Sequence, residues 1–212
     1  MPAKPAPPLL QLKTKLGDKK LLIRQFGASE ELGRPFEFTV VALSEDLAID
    51  IDSLLGTHAT VSLELPGDKL RYFDGVVVAT GIDGAHGRRV QFRLVLRPWL
   101  WLLTRRADTR IFQNKSVKDI LTTVFDAFKN DVKFELSGSY SPIEYCVQYR
   151  ETDFNFVSRL MEQEGIYYYF THEAGRHVAV FVDSSNAHKP YAGFADIAFV
   201  ESVDAGTDVE AI

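Results

Sequence analysis

Hydrophobic and polar residues alternate along the first half of the chain. In ATVSLEL (59–65) every second residue is apolar, and RVQFRLVLR (89–97) repeats the pattern. Because successive side chains of a strand point to opposite faces of a sheet, this period predicts half-buried antiparallel strands. Further strands are expected over 20–26, 35–43 and 70–80. Short strands at this spacing predict an antiparallel sandwich or barrel over residues 9–103.

Two glycine-containing segments are expected to connect these strands. In LPGDKL (65–70), Pro66 fixes φ and Gly67 tolerates a positive φ, so the segment predicts a turn. GIDGAHG (81–87) is interpreted as a second connection of the same kind. A phosphate-binding loop would instead require a following helix whose N-terminus faces the anion. A strand follows here, so a hairpin is favoured.

The hydrophobic period changes to that of a helix after Arg105. SVKDILTTVFDAF (116–128) carries one apolar stripe, and Ser116 with Asp119 can cap its first turn. A second helix is predicted near 153–164. Strand patterns return at 132–136, 145–149, 166–171 and 177–183, the last two forming a pair. The sequence therefore predicts an α+β fold, mainly antiparallel β, in which an α+β insertion (104–183) follows a barrel-like β domain (9–103).

The segment ETDFNFVSRLMEQEGIYYYF (151–170) places Glu162 and Glu164 beside a glycine and three tyrosines. Paired-carboxylate catalysis would need both acids held about one substrate bond, which the end of one helix does not supply. Thr152 is a good N-cap, and Gly165 lies where a glycine ends a helix. Apolar residues at helical spacing define a buried face: Phe154, Val157, Leu160 and Met161. The segment is interpreted as a helix–strand joint with solvated acids.

Three other groups of residues are candidates for chemical sites. His172 and His177 in HEAGRH could be metal ligands, but a solvated turn between two strands is favoured. Cys146 could be a nucleophile, but it lies in an alternating strand without an identified base, so a small structural side chain is favoured. RPWLWLL (97–103) is either a core strand at the domain junction or an interface anchor, and both interpretations stay open.

Composition and charge exclude several classes of protein. The 212 residues are 46% hydrophobic and 25% charged, which is ordinary for a globular protein. A net charge of -5 argues against a nucleic-acid binder. No apolar run approaches membrane-spanning length, and the N-terminus lacks the pattern of a signal peptide. The single cysteine fits a reducing cytoplasm, and the four prolines among residues 1–8 predict a disordered leader.

The chain resembles the VgrG spike proteins of type VI secretion, which are related to phage late-control and tail-hub proteins. The joint, preceded by Tyr149 and Arg150, carries the resemblance. So do further phrases in the same order, which are RPFEFTVVAL (34–43), LLGTHATVSLEL (54–65), RYFDGVV (71–77) and FRLVLRPWLWLLTRRADTRIFQNKSVKDIL (92–121). The resemblance covers Leu9 to about Lys189. It is specific because several long phrases agree in order and spacing.

The resemblance implies a structural hub, with no catalytic, cofactor-binding or metal-binding residues. Such a hub is a homotrimer mounted on a hexameric tube protein, with baseplate proteins, a needle-tip protein and effectors as further partners. It is assembled in the bacterial cytoplasm and then injected into a target cell, and its needle alone pierces the membrane. A hub of a contractile phage or phage-like tail is the alternative, and a tail-associated glycan hydrolase is a third, disfavoured possibility.

The resemblance also implies parts that these 212 residues do not contain. A complete spike continues into a second barrel, a neck and a β-helix needle. We therefore expect the N-terminal portion of a hub, with 184–212, including IAFVESV (197–203), as a returning segment. The ring of the family uses two barrels from each of three chains. The chain alone is therefore expected to be mainly monomeric or weakly associated.

Overall fold

The computed structural model describes residues 9–17, 19–65 and 69–188. Its strands are β1 Leu10–Lys13, β2 Leu22–Ser29, β3 Glu37–Ser44, β4 His58–Leu65, β5 Lys69–His86, β6 Arg89–Arg97, β7 Ala107–Lys115, β8 Val132–Glu135, β9 Ile143–Thr152, β10 Tyr167–Glu173 and β11 Arg176–Val182. The α-helices are α1 Trp99–Leu102, α2 Val117–Val124 and α3 Asp153–Gln163. Short 3-10 helices span Ile51–Leu54, Leu103–Arg105, Asp126–Asp131 and Ser185–Ala187.

The first six strands form one antiparallel sheet in the order β1-β4-β5-β6-β3-β2. Its two outer strands, β1 and β2, contact each other, so the sheet curls into a half-barrel. Alternate residues of β6 line the inside: Phe92, Leu94 and Leu96 are buried in one core. The predicted antiparallel, barrel-like fold class is confirmed.

One predicted connection is wrong, because 81–87 belongs mostly to a strand. β5 continues to His86 and pairs with β6 through His86 and Arg89. Its register shifts between Ile82 and Ala85, where Gly84 has a φ of +95°. Gly84 thus lies in a β-bulge inside the strand. The turn is limited to residues 87–88. The predicted turn at 65–70 falls largely on residues 66–68, outside the described part of the chain.

The second core lies among the helices and two smaller sheets. β10 pairs antiparallel with β11 as predicted, and β11 pairs in parallel with β8. β7 and β9 form a separate two-stranded ribbon, of which β7 had no sequence prediction. α2 begins with the predicted capping box of Ser116 and Asp119. It ends at Val124, and a 3-10 helix follows where the α-helix was expected to run on to 128.

The run RPWLWLL does not form a core strand. Pro98 has extended dihedral angles, and the next residues turn into α1 and the 3-10 helix that follows it. Trp99, Leu100 and Leu103 are buried in the second core, whereas Trp101 and Leu102 are half-buried. Short apolar runs fit a strand and a helix equally well by periodicity. The helical geometry buries Leu100 together with Trp99 and Leu103, whereas a strand would place Leu100 on the face opposite to both.

The helix–strand joint forms as the sequence predicts. The Thr152 side chain accepts the Asn155 N–H at 3.1 Å and caps α3. Gly165 has a φ of +69°, and the Ile166 N–H bonds the Met161 carbonyl at 2.8 Å, which completes a Schellman motif. The apolar part of the buried face differs by one residue from the prediction. Phe156 is fully buried, and Phe154 only half-buried.

The division of the chain at residue 103 stays a prediction. Phe170 packs against both hydrophobic cores, so the two cores are in contact where β10 crosses the six-stranded sheet. Residues 1–8 and 189–212, including the predicted strand 197–203, lie outside the described residues. Among the residues that are described, no helix is both long and apolar enough to cross a membrane.

Candidate functional site

Glu162 and Glu164 do not meet around a common space. Glu162 borders an open groove of about 520 Å³ between residues 32–35 and α3, where it is the one carboxylate among the lining residues. Glu164 is the C-cap residue of α3 and does not line the groove. The geometry a paired-carboxylate mechanism requires is therefore lacking here.

Cys146 and Trp99 are buried in the second core, whereas Trp101 is not. Cys146 is buried in the second core opposite Phe112 of β7, and burial raises the pKa of its thiol, which disfavours a nucleophilic thiolate. Trp99 is a core residue. Trp101 is half-buried and contacts two guanidinium groups, with Arg105 4.3 Å and Arg97 5.5 Å from its ring centre. The interface-anchor interpretation stays a prediction for Trp101.

The two histidines of HEAGRH lie in strands and not in a solvated turn. His172 of β10 and His177 of β11 are directly paired, and the turn is reduced to residues 174–175. Their side chains are 8% and 0% exposed. The expectation that they lie in water is wrong. Paired residues of a hairpin point to the same face, and that face packs on β5 of the six-stranded sheet.

Asp74 of the six-stranded sheet forms hydrogen bonds with both histidines. Asp74 of β5 is fully buried, and three side chains donate hydrogen bonds to it. His177 Nδ1 lies 2.9 Å and His58 Nδ1 2.8 Å from its Oδ2, while the Thr60 hydroxyl donates to its Oδ1 at 2.7 Å. Thr60 in turn accepts the N–H of Gly175 in the hairpin turn at 3.0 Å. We call Asp74, His58, Thr60, His172 and His177 the seam cluster.

The second ring nitrogen of His177 fixes its protonation state. His177 Nε2 lies 2.9 Å from the backbone nitrogen of Trp99, the first residue of α1. A backbone N–H can only donate, so Nε2 must be an unprotonated acceptor, and Nδ1 carries the hydrogen that is donated to Asp74. His177 is therefore neutral. Its side chain satisfies one of the N–H groups that a helix start leaves without an intrahelical partner.

His172 joins the same strand of the sheet by its backbone. Its Nδ1 lies 3.1 Å from both the backbone nitrogen and the backbone oxygen of Asp74. Its Nε2 lies 2.9 Å from the Glu30 carboxylate, between β2 and β3. The Phe36 ring packs edge-on against both hairpin histidines, with ring centres 5.0 Å from His172 and 5.4 Å from His177. An apolar ring thus covers the two hairpin histidines of the cluster.

The electrostatics of the cluster follow from these contacts. Burial raises the pKa of Asp74, but hydrogen bonds from His177, His58 and Thr60 outweigh it, so the pKa lies below its usual value. The hydrogen bond to Asp74 raises the pKa of half-exposed His58. Burial lowers the pKa of His177. Asp74 is therefore bonded to two different histidines. His58 takes up a proton more readily than an ordinary histidine, and His177 less readily.

The ligand atoms of His58, Asp74 and His177 are close enough together to suggest a metal site. The hydrogen-bond pattern does not fit one. A metal on His177 Nδ1 would require this nitrogen to be unprotonated, and a neutral ring would then carry its hydrogen on Nε2, against the Trp99 N–H. The same bond occupies the nitrogen that a general base would use. His177 therefore joins the hairpin to the six-stranded sheet and to the start of α1 through both of its ring nitrogens.

Sequence reasoning missed Asp74, His58 and Thr60 as members of this site. One signal was present, because Asp74 interrupts the apolar run of YFDGVVV (72–78). Residues Phe73 to Val77 are buried on both faces of the sheet, since the β10–β11 hairpin covers the face opposite the barrel core. An acid within such a strand requires buried donors.

Known proteins share both this sequence and this fold. The family model for the phage tail baseplate hub (GPD) matches residues 29–212. The chain belongs to that family. It is also 46% identical over 192 residues to the type VI secretion system spike protein VgrG1c of Pseudomonas aeruginosa and 45% identical to VgrG1b of the same organism. Each alignment covers 90% of this chain and 26% of the relative, so the chain spans about a quarter of their length.

A solved structure agrees with the sequence comparison. The c3393 protein of E. coli, described as a component of the type VI secretion system that resembles the T4 tail proteins gp27 and gp5, superimposes with a TM-score of 0.75. It is 27% identical, and the match covers 84% of this chain and 50% of that one. The resemblance to VgrG spike proteins and to tail hubs is confirmed. The family is one of structural tail-hub and spike proteins.

Proposed function

We propose that this chain forms the hub portion of a type VI secretion spike. The observation that carries this proposal is the 45–46% identity to two VgrG spike proteins over 90% of the chain. The match to a type VI component of known structure supports the same role. The family model alone would fit a phage-like tail hub equally well, so that function is the second candidate.

In this role the chain acts through shape and rigidity. The seam cluster bonds the six-stranded sheet to the β10–β11 hairpin and to the start of α1, so the two cores present their outer surfaces in a fixed relation. We propose that the whole protein is a homotrimer that contacts a hexameric tube protein, baseplate proteins, a needle-tip protein and effectors. The net charge of -5 supports the absence of nucleic acid among these partners.

We propose that the chain is not an enzyme and holds no cofactor or metal. Support comes from the separation of Glu162 and Glu164, the buried thiol of Cys146 and the occupied Nε2 of His177. Assembly in the bacterial cytoplasm followed by injection into a target cell belongs to the same proposal, since spike proteins of type VI secretion are secreted by that system.

A chimera tests this function. The 192-residue region of VgrG1c that aligns with this chain is replaced by the corresponding residues of this chain, in a Pseudomonas aeruginosa strain that depends on VgrG1c for type VI activity. We expect the chimera to be secreted and to restore contact-dependent killing. A replacement by the same region of a phage tail hub is the matched control, and it should not restore secretion.

The outcomes separate the two candidate functions. A chimera that accumulates as a folded trimer but is not secreted contradicts the spike proposal. If the chimera and the phage-derived control behave alike, the fold alone determines the result and the type VI assignment is not supported. An Asp74→Ala version of the chimera shows whether loss of the seam cluster abolishes secretion through folding.

A further inference from the structure

Three histidines meet at the seam cluster, and they differ in what a second proton would do. His58 is half-exposed, and its Nδ1 already donates to Asp74. Protonation adds a charge beside a buried carboxylate and breaks no contact that this ring makes among the described residues. His58 therefore accommodates a proton in place.

His172 also has a partner in either protonation state. When it is neutral, Nδ1 accepts the Asp74 N–H and Nε2 donates to Glu30. When it is protonated, Nδ1 can donate instead to the Asp74 carbonyl oxygen, which lies at the same distance of 3.1 Å. The ring keeps both of its neighbours. The Asp74 N–H of β5 loses its acceptor, but the bond between His177 and the Trp99 N–H at the start of α1 is untouched.

His177 has no such alternative. Its Nδ1 already donates to Asp74, so an added proton must go to Nε2, which faces the Trp99 N–H at 2.9 Å. Two donors would then point at each other inside a core where His177 is 0% exposed and the Trp99 residue 2% exposed. The hydrogen bond would be lost, and the N–H group would be left buried without a partner.

We propose that the seam cluster is an acid-sensitive latch between the two cores. Protonation of His177 breaks its bond to Trp99 N–H and releases the start of α1 from β11. It thereby loosens the junction where β6 leads into the second core. The inference rests on the hydrogen bonds of His177 and is independent of which secretion or tail machine the chain serves.

The charged groups around the latch set the direction of the effect. They come from every neighbouring element: Glu30 before β3, His58 on β4, Asp74 on β5, Asp131 at the end of the 3-10 helix Asp126–Asp131, His172 on β10 and Arg176 on β11. Arg176 is paired with Asp131 at 2.7 Å, and the remaining acids are both bonded to histidines. Asp74 is thus the carboxylate that accepts the His177 Nδ1–H, whether His177 is neutral or protonated.

The direction of the His177 pKa shift determines at which pH the latch is stable. Its pKa lies below the ordinary value of 6.5 because of burial. The latched state therefore binds fewer protons than the opened state, and its stability is present in full above pH 6.5. This contribution is lost as the pH falls below 6.5 towards the lowered pKa of the latched state.

Hydrogen exchange of the Trp99 amide tests the latch in the full 212-residue chain. Exchange is expressed as a protection factor, so that the intrinsic pH dependence cancels. We expect Trp99 protection to fall about tenfold between about pH 7.5 and 5.5, because one proton is taken up on opening. The Phe125 amide, which donates to the Leu121 carbonyl at 2.9 Å in the second core, serves as the reference and should keep its protection.

Two variants identify the responsible ring. In His177→Gln the pH dependence of Trp99 protection should disappear, whereas His172→Gln should retain it. Constant Trp99 protection in the wild-type chain would overturn the proposal, and so would an equal fall in His177→Gln. A parallel fall at Phe125 would also overturn it, since that indicates global unfolding. If His177→Gln does not fold, the Trp99 and Phe125 amides of the wild-type chain still decide the question.

Discussion

The α3 joint and the seam cluster are both polar features of this fold, and they are built in opposite ways. At the joint, the Thr152 side chain accepts the Asn155 N–H at the start of α3, and the Ile166 N–H bonds the Met161 carbonyl at its end. Both pairs of partners are within five residues in sequence. In the seam cluster, Asp74 is 103 positions from His177 and 98 from His172. The joint is formed by neighbours in sequence, and the cluster by packing of two distant regions.

This difference determines what each feature contributes. The joint satisfies its own backbone groups and could form before the rest of the fold, since capping acts within one helix. The seam cluster can form only after the half-barrel and the β10–β11 hairpin have come together. It should therefore carry the larger share of the stability that depends on the two cores being in contact.

The sharpest test of the comparison is removal of the central carboxylate. Asp74→Ala leaves the His177 Nδ1–H and the Thr60 hydroxyl without their buried acceptor. We expect the free energy of unfolding to fall by about 3 to 5 kcal/mol, measured by chemical denaturation near neutral pH. Asp126→Ala is the matched control, because its side chain is 76% exposed and its loss should cost under about 1 kcal/mol. Equal effects of the two substitutions would show that the cluster contributes no special stability.

The next largest effect should come from the glycine of the joint. A Cβ added at Gly165 meets no heavy atom within 4 Å, so the cost of Gly165→Val is that of its φ of +69° alone. We expect a loss of about 1 to 3 kcal/mol in thermal or chemical unfolding. Gly27→Val is the control, since Gly27 lies in β2 with no steric contact and no left-handed φ. A loss at Gly165 no larger than at Gly27 would contradict the capping interpretation.

The smallest effect is expected at the acids of the joint. The double substitution of Glu162→Gln and Glu164→Gln should change the free energy of unfolding by about 0.5 kcal/mol or less, because neither acid is buried. Secretion by the chimera described above should also be unchanged. A hydrolytic activity that the wild-type chain shows and this variant lacks would overturn the interpretation of both acids as solvent-facing residues.

Local features of the fold could be predicted from the sequence. Alternation at 89–97 predicted β6 with its observed bounds, and the capping residues predicted α2 and α3. Predictions were wrong where apolar periodicity leaves the choice open. The run 97–103 became a helical turn, and 81–87 became a bulged strand, because tertiary packing selected between conformations that the local pattern allows equally.

By itself, the sequence determined the elements and most of their buried faces, since capping, glycine dihedral angles and hydrophobic period act over a few residues. Only the tertiary structure decided the fate of the polar residues. His177 has the sequence pattern of a turn residue, but it is fully buried because the hairpin packs on β5. There it donates a hydrogen bond to Asp74, which lies in a strand covered on both faces. A buried polar group needs a partner, and here that partner is supplied by a strand about a hundred residues earlier in the chain.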